Sequence, residues 1–316
     1  MLLIILKLLA GFALLLLGGK YLVKGAVEIT KYFNISKLVV GLTVVAFGTS
    51  APELLVSVQA ALKGVAVISL GNVIGSNIAN VALVLAISVI ILPISVKKQT
   101  IKFDWPIMFF AFVLFWLFLL DDKLTFIEGA IFFTLLILYV AWEIKFASKH
   151  SSKTEKETTE TVKKDYSIPI AILVIIIASA ALAFGADLLV ESASALATII
   201  GISERVIAIS IVAVGTSLPE LTASIIAALK KETDISVGNI IGSNIFNIFS
   251  ILGITAMIKT IHFDHTIFTT DLMWMSGIGI LLFLSFFPIK KTYINRYKGV
   301  IMLSVYFVYM FILFQR

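Results

Sequence analysis

A stretch of 33 residues occurs twice in this chain, at residues 48–80 and again at residues 215–247. The first copy reads GTSAPELLVSVQAALKGVAVISLGNVIGSNIAN and the second reads GTSLPELTASIIAALKKETDISVGNIIGSNIFN. The offset is a constant 167 without a gap, and 21 of the 33 positions are identical. Each copy carries one glutamate in an otherwise apolar stretch, Glu53 and Glu220. This pattern predicts two equivalent structural units that meet around the two carboxylates.

The composition is typical of a protein with several membrane-spanning helices. Mean hydropathy is +1.08, 60% of the 316 residues are hydrophobic and only 14% are charged. The basic residues lie in loops between apolar segments, which argues against a nucleic-acid partner despite a pI near 9.3. The lack of cysteine excludes disulfides and thiolate metal sites.

Ten apolar segments are each long enough for a helix to cross the roughly 30 Å hydrocarbon core of a bilayer. The first has no basic stretch before it and no cleavage site after it, so we expect it to be retained. The polar segment 147–166 is expected to be a linker between a first five-helix repeat at 1–146 and a second at 167–316. The predicted spans are residues 2–31, 36–61, 68–93, 103–120, 124–146, 167–198, 203–229, 235–258, 268–288 and 295–314.

The distribution of lysine and arginine predicts the orientation of these spans. With the N-terminus outside, 19 of the 25 basic residues lie on the cytoplasmic side, as the positive-inside rule requires. Both termini are then outside the cell (plasma) membrane, and the linker is cytoplasmic. The two repeat copies start an odd number of spans apart and therefore run in opposite directions. The sequence thus predicts an all-α membrane protein with ten transmembrane helices in two inverted-topology repeats, with helices broken at the midplane.

The second predicted span contains a helix-breaking pair of residues. Pro52 has no N–H to offer the carbonyl of Gly48, so the helix should break around residues 46–50 and leave carbonyls there under-bonded, those of Ala46 and Phe47. Thr49, Glu53 and Ser57 are spaced by four and are expected to share a helical face, with Ser50 close to it. Hydroxyl, carboxylate and carbonyl oxygens form a ligand set that suits hard cations such as Na⁺ and Ca²⁺. The second copy repeats the set with Gly215, Thr216, Ser217, Pro219, Glu220 and Ser224.

The third and eighth predicted spans add a polar stripe at the same spacing of four. Its members are Asn72, Ser76 and Asn80 in one repeat and Asn239, Ser243 and Asn247 in the other. Hydrogen bonding between helices is an alternative role for Asn72, Asn77, Asn239 and Asn244. A structural ion pair is the alternative for the two glutamates, but no lysine or arginine lies centrally in spans two, three, seven or eight. We expect the remaining acidic residues in or near spans to be at the surface, namely Asp104, Glu128 and Asp271.

The segments GTSAPE…GNVIGSNIAN and GTSLPE…GNIIGSNIFN resemble the two α-repeats of the cation/Ca²⁺ exchanger superfamily. The match is closest to its Na⁺/Ca²⁺ exchanger branch, in the form of its compact prokaryotic members, and covers nearly the whole chain. The resemblance implies that Glu53 and Glu220 are the central Ca²⁺ ligands, together with the backbone carbonyls of Thr49 and Thr216. It also implies Na⁺ sites, with Asn80 and Asn247 at the middle, formed from Ala46, Ser50 and Ser243 on one side and Ala213, Ser217 and Ser76 on the other.

Two departures from the family pattern bear on ion coupling. Related members often carry Asp at the position of Asn247, and potassium-coupled relatives resemble that form, so K⁺ coupling is disfavoured. The proton-coupled branch typically has Glu after its Gly-Asn pair, whereas Gly71-Asn72 and Gly238-Asn239 lead into Val-Ile and Ile-Ile. Proton coupling is therefore disfavoured as well.

The predicted function is secondary active antiport, exchanging Na⁺ for Ca²⁺ by alternating access. Transport is electrogenic if a third Na⁺ binds, and the long first and sixth spans are candidates for the moving element. The alternatives are a Ca²⁺/H⁺ or K⁺-dependent Na⁺/Ca²⁺ exchanger and a Ca²⁺-permeable channel. An intramembrane hydrolase, suggested by Gly48-Thr49-Ser50, lacks a histidine base in any span, so we expect no enzyme. Ca²⁺, Na⁺ and the lipid bilayer are the expected partners, without a cofactor or an obligatory protein partner.

Overall fold

The computed structural model describes residues 2–154, 166–201, 213–263, 265–288 and 293–315. At residues 146–154, 213 and 265–268 it describes the backbone only. Helices form almost all of this part of the chain. Their bounds are α1 (Leu2–Phe33), α2 (Lys37–Thr49), α3 (Ala51–Leu62), α4 (Ile68–Ile91), α5 (Thr100–Phe118), α6 (Phe126–Thr154), α7 (Ile168–Ile199), α8 (Ala213–Gly215), α9 (Leu218–Leu229), α10 (Thr233–Ile258), α11 (His265–Ser285) and α12 (Arg296–Gln315).

Seven of the described helices are long and apolar enough to cross a membrane, or eight if α2 and α3 count as one span bent by 45°. Helix α9 and the part of α11 at Thr269–Ser285 are shorter apolar helices. The protein is thus an all-helical membrane protein. Each predicted span has a helix at its position, although residues 203–212, which begin the seventh, lie outside the described residues.

The segment predicted as a linker begins as a helix. Helix α6 continues to Thr154, well beyond the predicted limit of residue 146. Residues 147–154 contain no glycine or proline, so nothing in the backbone ends the helix where the composition turns polar. The predicted linker thus begins with about two turns of helix, and residues 155–165 lie outside the described residues.

Four two-residue strands connect loops of the two halves. They are β1 (Ile94–Ser95), β2 (Lys123–Leu124), β3 (Ile261–His262) and β4 (Tyr293–Ile294). Strand β1 pairs antiparallel with β4, and β2 pairs antiparallel with β3. Each pair therefore joins one loop of the first half to one loop of the second.

Helices α1 and α7 pack against each other along a line of small residues. A Cβ atom added at Gly11 would lie 2.8 Å from the carbonyl oxygen of Gly185, and one added at Gly18 would lie 3.0 Å from that of Ala178. The residue numbers of the contacts increase along α1 while those of their partners decrease along α7, so the two helices run antiparallel. Small side chains let the backbones approach closely, which is how helices associate in a bilayer without a hydrophobic driving force between them.

Helices α4 and α10 form the interior of the molecule. The most apolar parts of α10 and α4 are 89% and 78% buried, against 22% for both α1 and α7. Helix α2 packs tightly on α10, because a Cβ added at Gly238 would lie 2.6 Å from Leu38 O. The polar stripes of α4 and α10 and the break between α2 and α3 therefore lie inside the protein and away from lipid.

Candidate cation-binding site

The helix of the second span breaks at Ser50, as the sequence predicts. The backbone N–H of Ser50 donates to Ala46 O at 3.0 Å, and that of Leu54 donates to Ser50 O at 3.2 Å. The helical hydrogen bonds between these two are missing, which leaves the carbonyls of Phe47, Gly48 and Thr49 without a partner four residues on. The expectation for Ala46 was wrong, because its carbonyl also accepts from Thr49 Oγ1 at 3.3 Å.

The second copy breaks at the equivalent place, between α8 and α9. The N–H of Leu221 donates to Ser217 O at 3.0 Å, and that of Ser217 donates to Val214 O at 3.1 Å. Pro219 has no N–H, so the carbonyl of Gly215 has no helical partner. Of Ala213, which the resemblance assigns to a Na⁺ site, only the backbone is described.

Glu53 and Glu220 lie in the first turns of α3 and α9, directly after the two breaks. Both side chains are buried, with 1% and 0% of their surface exposed. Their carboxyl groups are within hydrogen-bonding reach of each other, and Ser50 Oγ donates to Glu220 Oε1 at 3.0 Å. Neither carboxylate forms an ion pair with a lysine or arginine of the described chain. Two buried carboxylates in contact cannot both stay ionised unless a cation or a proton compensates their charge.

Thr49 is the last residue before the break at Ser50, and its side chain reaches across to the other half of the molecule. Its hydroxyl donates to Asn239 Oδ1 at 3.0 Å and lies 3.4 Å from Ser243 Oγ, both on α10. The Thr49 hydroxyl thus joins the broken helix of one half to the polar stripe of the other.

Ser57 and Ser224 occupy equivalent positions and make equivalent contacts. Asn72 Nδ2 donates to Ser57 Oγ at 3.2 Å, and Asn239 Nδ2 donates to Ser224 Oγ at 3.0 Å. In each half, the helix after the break is thus held against the helix that follows it. These bonds give Asn72 and Asn239 the interhelical role that was the alternative to ion binding.

Asn80 and Asn247 each begin a π-helical turn, at Asn80–Leu85 and Asn247–Leu252. Such turns widen a helix and are frequent at functional sites. Asn247 Nδ2 donates to Asn77 Oδ1 at 3.0 Å, whereas neither amide atom of Asn80 has a hydrogen-bond partner in the described chain. The two halves therefore differ at this pair although their sequences match.

Several predicted site residues carry buried polar atoms that have no hydrogen-bond partner in the described part of the chain. Such groups are rare in folded proteins, because each costs the free energy of its lost hydration. All but one of these atoms are oxygens. They are both carboxylate oxygens of Glu53, Oε2 of Glu220, Oγ of Ser76 and Ser217, both amide atoms of Asn80 and Oδ1 of Asn247. An all-oxygen set with two negative charges can bind Na⁺ or Ca²⁺.

One polar neighbour of the break was missed by sequence reasoning. A Cβ added at Gly48 would lie 2.5 Å from Ser179 Oγ on α7, so the serine side chain lies directly against the break. The hydroxyl oxygen of Ser179 is buried without a partner in the described chain. Ser179 lies outside both repeat copies, and only its isolated position in an apolar span could have drawn attention to it.

The expectation of a surface role was wrong for Asp104, whereas Glu128 is a partly buried helix cap. Asp104 is 0% exposed. Glu128 Oε2 accepts from the backbone N–H of Thr125 at 2.6 Å and from its hydroxyl at 2.8 Å, so it caps the start of α6. A single sequence position near the end of a span does not reveal whether neighbouring helices cover it.

Comparisons with known proteins agree on one family. The family model described as sodium/calcium exchanger protein matches residues 3–145 and 170–315. The chain is 34% identical to the sodium/calcium exchanger MaX1 of Methanosarcina acetivorans, with 97% of each chain covered, and 32% identical to the inner membrane protein YrbG of Escherichia coli, covering 87% of this chain and 86% of that one. A solved structure of the sodium-calcium exchanger NCX_Mj, soaked with zero Na⁺ and Ca²⁺, superposes with a TM-score of 0.81 at 32% identity and covers 97% of each chain. The chain belongs to the sodium/calcium exchanger family.

Proposed function

We propose that this protein exchanges Na⁺ for Ca²⁺ across the membrane, and that the ions bind between Glu53 and Glu220. The observation that carries the proposal is the contact between these two buried carboxylates, neither of which pairs with a basic residue of the described chain. Their shared negative charge needs a cation, and the surrounding hydroxyl, amide and carbonyl oxygens match what hard cations bind.

The charge of the site fits an exchange of unlike ions. Two carboxylates carry a charge of about −2 when ionised, which one Ca²⁺ or two Na⁺ compensate. A third Na⁺ would leave a net positive charge in the loaded site, and each cycle would then move charge across the membrane. An exchanger avoids leak if the site crosses between the two membrane faces only when its charge is compensated.

Each half supplies ligands to a shared set in this proposal. Glu53 and Glu220 bind Ca²⁺ together with the carbonyls of Thr49 and Thr216. The carbonyl of Thr49, which has no helical hydrogen-bond partner in the described chain, supports this assignment. The Na⁺ sites use the remaining oxygens, which belong to Ala46, Ser50, Ser243, Ala213, Ser217, Ser76, Asn80 and Asn247.

The proposed architecture is ten transmembrane helices in two inverted five-helix repeats, 1–146 and 167–316, with 147–166 as a cytoplasmic connection in the plasma membrane. The antiparallel contact between α1 and α7 supports it, because helices at equivalent positions of parallel repeats would run the same way. The strand pairs also support it. With ten spans, the loops joined by β1 and β4 fall on one side of the membrane and those joined by β2 and β3 on the other.

Helices α1 and α7 are the proposed moving element. Each has 32 residues and is therefore about 48 Å long, which exceeds the thickness of the hydrocarbon core. They lie at the periphery of the protein and contact each other along small side chains.

The experiment is ⁴⁵Ca²⁺ uptake into proteoliposomes that contain the purified protein and internal Na⁺. Uptake should require internal Na⁺ and should persist when K⁺ is absent and when the pH is equal on both sides. Uptake driven by a pH gradient alone would instead indicate Ca²⁺/H⁺ exchange. A Ca²⁺-permeable channel would equilibrate ⁴⁵Ca²⁺ without Na⁺ on the opposite face, and that result would overturn the proposal.

A further inference from the structure

A second pair of buried carboxylates lies outside the proposed transport site. Asp104 is on α5 and Glu143 is on α6, and both side chains are 0% exposed. The transport site is built from α2, α3, α4, α8, α9 and α10, so the two pairs share no helix. In the proposed topology the start of α5 and the predicted membrane end of α6 both lie on the cytoplasmic side.

The side chains of this pair converge with three polar neighbours. The carboxyl groups of Asp104 and Glu143 are within hydrogen-bonding reach of each other. Gln99 Nε2 donates to Glu143 Oε2 at 3.3 Å, and the hydroxyl of Thr100 faces Asp104. Tyr139 precedes Glu143 by four residues on α6, so both lie on one face of that helix.

Most oxygens of this cluster lack a well-formed hydrogen bond within the described chain. They are Oδ1 and Oδ2 of Asp104, Oε1 of Glu143, Oγ1 of Thr100 and the hydroxyl of Tyr139. Thr100 is 0% exposed and Tyr139 only 5%, so water at the protein surface does not hydrate them. Two buried hydroxyls beside two carboxylates are an observation separate from the acidic pair, and they complete a set of oxygen ligands.

No basic side chain of the described residues neutralises the pair. Lys97, the lysine nearest in sequence that forms a described ion pair, binds Asp234 at 2.8 Å. Two carboxylates in contact in a buried setting need a compensating positive charge.

The local backbone brings the ligands of α5 together. Residues Thr100–Asp104 form a π-helical turn, which is rare and occurs often at functional sites. In this turn the hydroxyl of Thr100 faces the carboxyl group of Asp104, which in turn faces Glu143 on α6. Because α5 supplies two of the ligands and α6 the other two, a bound ion would connect the two helices.

We propose that Asp104, Glu143, Thr100 and Tyr139, with Gln99 beside them, form a second cation site, whose ligand is a hard divalent cation of the Ca²⁺ class. The two carboxylates together match a double positive charge. The site is separate from the transport pathway and does not need Glu53 or Glu220. A cation bound there holds α5 against α6 at the cytoplasmic face, where the ion concentration of the cell sets its occupancy.

The test is binding of Tb³⁺, an oxygen-seeking stand-in for Ca²⁺, to the full-length Glu53→Gln/Glu220→Gln protein in detergent. Removing both transport carboxylates separates this site from the proposed function, which the double variant abolishes. Excitation of aromatic side chains should give saturable Tb³⁺ luminescence that Ca²⁺ displaces, since Tyr139 is a ligand and Trp142 is a neighbour in sequence. Asp104→Asn or Glu143→Gln in that background should weaken Tb³⁺ binding by about 10- to 100-fold or more.

Two comparisons keep the test decisive. Asp121→Asn removes a carboxylate that is 54% exposed in the turn after α5, and it should leave the luminescence titration unchanged. Tyr139→Phe keeps the ring and removes one ligand oxygen, so it tests the site with little risk to folding, and it should also weaken binding. Unchanged Tb³⁺ and ⁴⁵Ca²⁺ binding in monodisperse Glu143→Gln and Tyr139→Phe proteins would overturn the proposal, as would a double variant that binds neither ion.

Discussion

Glu53 and Glu220 occupy equivalent sequence positions but differ in their hydrogen bonds. Ser50 Oγ donates to Glu220, whereas the equivalent hydroxyl, that of Ser217, has no hydrogen-bond partner in the described part of the chain, and neither do the carboxylate oxygens of Glu53. The two halves therefore present unequal ligands in this conformation. An exchanger that alternates between two faces requires such inequality, because the halves exchange roles between its end states.

We expect Glu53→Gln and Glu220→Gln each to reduce Na⁺-driven ⁴⁵Ca²⁺ uptake to the level of empty liposomes. Each change removes half of the site charge, and losing one charge from a buried set costs about 3–5 kcal/mol, roughly 100-fold or more in affinity. Asp121→Asn, which removes an exposed carboxylate, is the matched control and should transport normally. Near-normal uptake by either glutamine variant, at equal protein content, would show that the carboxylates do not bind the ion.

Asn247→Asp should change the ion dependence of transport without preventing Ca²⁺ binding. The substitution puts a third carboxylate beside the site and replaces the amide that donates to Asn77 Oδ1 at 3.0 Å. Asn77 can rotate its amide and donate instead, so the contact survives. Three neighbouring carboxylates need an additional cation or a proton, and uptake should therefore acquire a new Na⁺ or pH dependence. Superimposable uptake curves against Na⁺ and pH for variant and wild type would place Asn247 away from the ions.

The helices of the interior depend on close backbone approach. Gly238→Ala should lower the melting temperature, because its Cβ would lie 2.6 Å from Leu38 O and 2.8 Å from Leu42 N, backbone atoms that cannot rotate away. Overpacking of this kind typically costs about 1–3 kcal/mol. The measurement is thermal unfolding in detergent followed by tryptophan fluorescence.

Gly277→Ala is the matched control for that change. Gly277 is also helical, and an added Cβ there meets no heavy atom within 4 Å among the described residues. Alanine is favoured over glycine in a helix by about 1 kcal/mol, so this variant should be as stable as wild type or slightly more stable. If both variants melted at the same temperature, close packing between α2 and α10 would not limit stability.

At the scale of the whole molecule, ion pairs join the two halves on the side of the proposed cytoplasmic face. Lys37 Nζ lies 2.7 Å from Glu232 Oε2, and Lys97 Nζ lies 2.8 Å from Asp234 Oδ2. Both lysines are 45% exposed, so each pair contributes only about 0–1 kcal/mol. The strand pairs and the buried helices, more than these ion pairs, hold the halves together.

A single cysteine at position 152 tests the topology of the whole molecule. The chain has no cysteine of its own, so Ser152→Cys provides one reactive thiol in the proposed cytoplasmic connection. A membrane-impermeant maleimide should label it only after the cells are opened, because 19 of the 25 basic residues lie on that side in the proposed arrangement. Labelling of intact cells at the full rate would show that residue 152 lies outside, and the orientation would then be the reverse of the proposed one.

The sequence by itself determined the class of protein, the approximate positions of the described helices, the two breaks and the equivalence of the two buried glutamates. These are local properties: hydropathy follows from composition, a proline removes its own N–H wherever it lies, and the 33-residue repeat, at its offset of 167, matches Glu53 with Glu220. Only the tertiary structure decided which side chains from distant parts of the sequence contact each other. Thr49 bonds to Asn239 across 190 residues, Ser50 bonds to Glu220 across 170, and Asp104 is buried against Glu143. Such contacts depend on how distant helices bend and pack, and no local pattern of residues specifies the side on which a neighbouring helix will lie.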